Sequence, residues 1–141
     1  MTTTWQFWAL LAAGFAALTA IFAKVGVEAV NSDYATFLRT LVVIVVLGAI
    51  LIGTGEMRSP LGIAPKSLLF LALSGLATGA SWLCYFRALR LGQASQVAPV
   101  DKLSVVLVAI FGVVFLGERL SGLSWLGVGL IASGAVLMAL G

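Results

Sequence analysis

The chain reads as five long apolar stretches, at about residues 6–28, 34–54, 67–89, 96–116 and 123–140, set apart by short polar segments. A membrane-spanning helix needs roughly 20 mostly apolar residues to cross the hydrocarbon layer, and each stretch meets that requirement. The segments between them are rich in helix breakers and caps: Asn31-Ser32-Asp33 before the second stretch, Arg58-Ser59-Pro60 and Pro65-Lys66-Ser67 before the third, and Leu91-Gly92-Gln93 before the fourth. The pattern predicts an all-α integral membrane protein, with five transmembrane helices joined by short loops and residues 1–141 forming a single domain. Trp5, Trp8 and Trp125 stand where the first and fifth stretches begin, the level at which interfacial aromatics anchor a helix.

Composition agrees. A chain that is 62% hydrophobic and 9% charged, with a mean hydropathy of +1.17, lacks the charge a soluble surface needs, about a quarter of residues. The lipid bilayer is therefore its solvent, and a multi-pass place in the inner (plasma) membrane is expected. The net charge of +3 comes from basic residues scattered among helix ends, with no stripe that could follow a phosphate backbone, so no nucleic-acid partner is expected. There is no His, no cluster of metal-ligating residues, no Gly-rich phosphate loop and no nucleophile beside a base. Accordingly no metal, cofactor or enzymatic activity is expected. Cys84, the one cysteine, sits in an apolar run and reads as an inert buried thiol. No basic residue precedes the first apolar run, which continues to about Val27, so it reads as a retained helix rather than a cleaved signal.

Five spans put the two ends of the chain on opposite sides of the membrane. Arg58, Lys66 and Arg119 then fall on one side, and Lys24, Arg39, Arg87 and Arg90 on the other. Three basic residues against four is almost no bias, and that bias is what orients a membrane protein. Two readings follow: a modest preference for one orientation, or insertion both ways with two opposed copies pairing about an axis in the membrane plane.

Two spans carry polar chemistry. In the third, Ser74, Thr78, Ser81 and Tyr85 recur at i, i+4, i+7 and i+11 and line up hydroxyls along one face, with Trp82 beside them. Gly75-x-x-x-Gly79 allows a neighbouring backbone to come close. These residues serve either as helix-packing glue or as the lining of a water-filled cavity. In the fourth, Pro99 occupies the first turns and is followed by Asp101 and Lys102, roughly 8 to 10 Å beyond the helix start. Charges at membrane depth cost about 2.5 to 3.5 kcal/mol each at a helix centre, so they are expected to face protein or water. Neighbouring residues point about 100° apart on a helix, so each charge looks for a partner elsewhere, Arg39 for Asp101 and Glu28 for Lys102. Intramembrane charges mark solute pathways by default, and a buried network fixing helix register is the plain alternative. Gly129-x-x-x-Ser133 in the last span offers a close-packing face for a dimer.

The stretch from Tyr85 through Arg87-Ala88-Leu89-Arg90-Leu91-Gly92 to Pro99, then Gly117-Glu118-Arg119-Leu120-Ser121 and a Gly-rich last helix, resembles the EamA domain of the drug/metabolite transporter superfamily. The likeness covers the chain once, as in half-size members, where most of the family carries two such five-helix halves. It implies transport of small metabolites by alternating access, with an antiparallel homodimer, a dual-topology form of an inverted repeat, as the working unit. It further implies that Glu118 and Arg119 form a structural turn and that the junction around Pro99 belongs to a cavity wall. The four-helix small multidrug resistance proteins, a related group, use an acid midway along their first helix; Ala12 to Ala20 holds none.

The expected function is thus a membrane transporter of a small polar metabolite, an amino acid or a related zwitterion or anion. Lys102 and Arg39 would answer a carboxylate, Asp101 an ammonium group or proton, and Tyr85, Trp82, Ser81 and Thr78 would add hydroxyl and aromatic contacts. The alternative is a non-transporting accessory subunit of a larger membrane complex.

Overall fold

The computed structural model describes residues 4–141. Its helices are α1 (Trp5–Val27), α2 (Ser32–Thr54), α3 (Pro65–Leu91), α4 (Ala94–Asp101), α5 (Ser104–Phe115) and α6 (Gly122–Leu140), with a 3₁₀ turn at Pro60–Gly62 between α2 and α3. Five segments are long and apolar enough to cross a membrane: α1, α2, α3, α4 and α5 taken together as one span, and α6. The largest boundary shifts from the sequence pattern are 34 to 32, 67 to 65, 89 to 91 and 96 to 94. The fourth span differs in kind, because a break after Asp101 divides it into two helices.

Helix ends are settled locally. The Asn31 side chain accepts hydrogen bonds from the amides of Asp33 at 2.9 Å and Tyr34 at 3.2 Å, capping α2. At its other end Gly55 takes φ +73°, and the Glu56 amide returns to the Leu51 carbonyl at 3.0 Å, a closure that favours a residue without a Cβ. Ser121 caps α6 by accepting from the Ser124 amide at 3.1 Å. After α5 the chain turns at Gly117, φ +69°, and the Glu118 amide donates to the Gly112 carbonyl at 3.0 Å. The Glu118 carboxylate folds over the Cα of Gly112, in space that a Cβ there would occupy. Glu118 thus closes a turn, the role its motif implied.

Backbone proximity divides the chain into two compact units, one comprising the residues up to 22 together with 91–141, the other residues 23–90. In the first, α6 packs against both α4 and α5, and Gly112 and Ala135 are buried. In the second, Val27, Phe86 and Leu89 form the apolar core, and Ser32 and Thr36 on α2 are buried as well. Most other large apolar side chains point outward, among them Ile44, Val45, Ile52 and Leu76. Lipid tails are as apolar as leucine, so helix association in a bilayer relies on close packing and polar bonds rather than on apolar burial.

Candidate functional site

In the second unit α2 presents Ser32, Thr36, Arg39 and Thr40 along one side, a spacing of four, three and one that keeps them on adjoining lines of the helix. The two threonines satisfy themselves: Thr36 Oγ1 donates to the Ser32 carbonyl at 2.9 Å and Thr40 Oγ1 to the Thr36 carbonyl at 2.8 Å. Arg39 has no such backbone partner. Its guanidinium carbon lies 4.2 Å from the centre of the Trp82 ring and 5.0 Å from that of Phe86, both on α3. Tyr85 is within electrostatic reach. The head group is therefore held at the level of Trp82 and Phe86, not stretched toward the helix end. Each cation–ring contact is worth about 0.5–1 kcal/mol when exposed and about 2 when desolvated. Two of them offset part of the roughly 2.5–3.5 kcal/mol that an arginine costs at a membrane helix centre.

Among the described residues nothing accepts a hydrogen bond from Arg39. Its five N–H donors are thus open to another acceptor.

Near the end of the same unit three cations tie helix termini together. The Lys24 ammonium, in the last turn of α1, donates to the Leu89 carbonyl at 2.6 Å. That carbonyl belongs to the last turn of α3, where helical partners run out and the dipole favours a positive charge. Arg87 pairs with Asp33 through two bonds, Nε to Oδ1 at 3.1 Å and Nη2 to Oδ2 at 2.7 Å. Asp33 lies in the first turn of α2, the end that favours an anion. Arg90 reaches the Val30 carbonyl at 3.3 Å.

In the first unit the break of the fourth span lies at its charges. Asp101 is the last residue of α4 and Lys102 the residue that caps it. Across the break, bonds to the third residue back replace helical ones: Leu103 to Val100 at 3.0 Å, Val105 to Lys102 at 3.0 Å and Val106 to Leu103 at 3.1 Å. The Asp101 carbonyl is left without a backbone partner among the described residues. Pro99 accounts for a missing donor toward Ser95, one turn earlier. Both charged residues are exposed, and neither forms an ion pair with a described residue of its own unit.

The remaining sequence-predicted residues fall on α3. Thr78, Trp82 and Tyr85 are half-buried and share a side with Phe86 and Leu89, whereas Ser74 and Ser81 are exposed. The inward side of α3 thus runs through Trp82 and Phe86 instead of along the hydroxyls. Thr78 Oγ1 donates to its own helix, to the Ser74 carbonyl at 2.8 Å. Cys84 is exposed, contrary to expectation, because positions 82, 85, 86 and 89 define the inward side and 84 points away from it. A Cβ at Gly75 or Gly79 meets nothing within 4 Å, so no backbone within the chain uses that close-approach site. Sequence reading missed Phe86 and the Lys24 contact. The first was hidden among many apolar residues; the second had a signal in a lysine closing one helix.

The EamA-like transporter family matches residues 3–140. The chain is also 63% identical over 139 residues to a Sinorhizobium sp protein named "Uncharacterized transporter in cobO 3'region", with 99% of each chain covered. No solved structure matches it. Five segments long and apolar enough to span a membrane and a family match over nearly the whole length place this chain in the EamA-like transporter family, as a multi-pass membrane transporter.

Proposed function

We propose that the protein moves a small polar metabolite, an amino acid or a related zwitterion or anion, across the inner (plasma) membrane by alternating access. The working unit in this reading is an antiparallel homodimer, supported by the even spread of basic residues over the two sides. The observation that carries the reading is the break of a membrane span at Asp101 and Lys102. Interrupted helices with exposed backbone groups and charges at depth are how many transporters hold solute and coupling ions. Lys102 and Arg39 answer the anionic group, and Asp101 an ammonium group or proton. Trp82 and Tyr85 add aromatic surface, and Thr78 and Ser81 hydroxyl acceptors. No cofactor enters the cycle.

The test is uptake into proteoliposomes holding the purified chain. Asp101→Asn and Lys102→Met are each expected to lower the rate at least tenfold, and unchanged uptake in both would remove the site. The homodimer is tested separately, in a Cys84→Ser background with a cysteine added after Gly141 and a membrane-impermeant thiol reagent. Labelling of about half the molecules from outside supports opposed copies. Labelling from one side alone, with no uptake by the purified chain, favours the accessory-subunit reading.

A further inference from the structure

We infer that Arg39, mounted on the rings of Trp82 and Phe86, is a preformed receptor for a carboxylate, which it grips with the edge of its guanidinium. The inference deepens the transport reading, on which it rests for the source of the ligand, but binding itself needs neither the dimer nor transport.

Arg39 lies seven residues beyond the start of α2, about 10 Å along the axis of a helix long and apolar enough to span a membrane. The guanidinium carbon lies 4.2 Å and 5.0 Å from two ring centres, and no described residue accepts a hydrogen bond from its N–H groups. A planar fork with parallel N–H groups matches the two oxygens of a carboxylate, and the pair is stronger where water is scarce. Phe86 is 2% exposed, so the platform is anchored in the core of its unit and not on a mobile surface. Thr36 and Thr40, the hydroxyls nearest in sequence on α2, are bonded to their own helix. The N–H groups of Arg39 are thus left open to an acceptor. A lysine would not substitute, since its ammonium lacks both the stacking plane and the fork. Phe86 is a positioning residue, acting through the arginine.

An anionic oxygen at this depth has two sources, a solute carboxylate or a lipid phosphate, and the inference commits to the solute. The four tryptophans include Trp82 under the guanidinium. With Trp5, Trp8 and Trp125 changed to Phe, Trp82 fluorescence reads the site in phosphatidylcholine nanodiscs. Lactate is expected to change the emission saturably, and lactamide, the same shape without the charge, is expected not to. Arg39→Gln should abolish the response, Arg39→Lys weaken it at least tenfold, and Phe86→Leu weaken it several-fold with the helical circular dichroism unchanged. Equal responses to lactate and lactamide, no saturable response, or a normal response in Arg39→Gln would overturn the receptor. So would loss of the lactate response when phosphatidylglycerol replaces a third of the lipid, since the acceptor would then be a headgroup. A single labelled orientation with an intact lactate response would instead count against the antiparallel dimer alone.

Discussion

Lys24→Met tests whether polar capping, more than apolar burial, holds the second unit together. The ammonium donates to the Leu89 carbonyl at 2.6 Å, and methionine keeps the length and apolar stem of the side chain while removing the donor and the charge. A hydrogen bond from a charged group contributes about 1.5–3 kcal/mol, and a cation at a helix C-terminus about 0.3–1 kcal/mol. The two overlap, so the expected loss is about 2 kcal/mol. Leu89 itself is fully buried, so its carbonyl has little chance of finding water in exchange. The assay is reversible unfolding by sodium dodecyl sulfate in mixed micelles, followed by far-ultraviolet circular dichroism. Lys24→Gln, which keeps a donor without the charge, should lose about half as much. If Lys24→Met unfolds within about 0.5 kcal/mol of the parent, the range of an ordinary surface substitution, the capping argument is wrong.

Other consequences are simpler to state. Asn31→Ala removes the acceptor for two amides at the start of α2 and should cost about 1 kcal/mol in the same unfolding assay, with Asn31→Ser restoring most of it. Gly117→Ala forces a Cβ into a φ of +69° and should cost about 1–2 kcal/mol, whereas Gly62→Ala, at ordinary backbone angles with open space around it, should be neutral. A Cβ at Gly129 meets nothing within 4 Å in the single chain, so Gly129→Ala should leave the monomer fold intact; if the last span forms the dimer contact, chemical crosslinking of the variant in membranes should fall. Cys84 faces outward from a membrane-spanning helix, so a lipid-soluble maleimide should label it well and a charged, impermeant one poorly; the reverse result would place it in a water-filled passage.

Span number and position follow from composition and length alone, because a bilayer imposes one requirement on every segment: about 20 mostly apolar residues with all backbone bonds made internally. That requirement is one-dimensional, so the five stretches and their breakers were legible from the order of residues. The turn at Gly117 and Glu118, which the structure forms through local bonds, was expected from the family resemblance.

The break at Asp101 was not, since Pro99 signalled a disturbance one turn earlier than the one that occurs, and short-range hydrogen bonding around Lys102 depends on how α4 and α5 each settle against α6. Nor could sequence decide where the Arg39 head group would rest. A flexible side chain goes to whatever stabilises it, and here two rings from another helix do so. Both rings lie far along the chain from Arg39, within an apolar run where any Phe or Trp looks like lipid-facing surface. Helical periodicity placed Trp82 near the hydroxyl line of α3, but which side of that line turns inward is set by the neighbour it packs against. Pairings between distant helices are properties of the folded chain, and for that reason the open guanidinium edge at Arg39 emerged only from the tertiary structure.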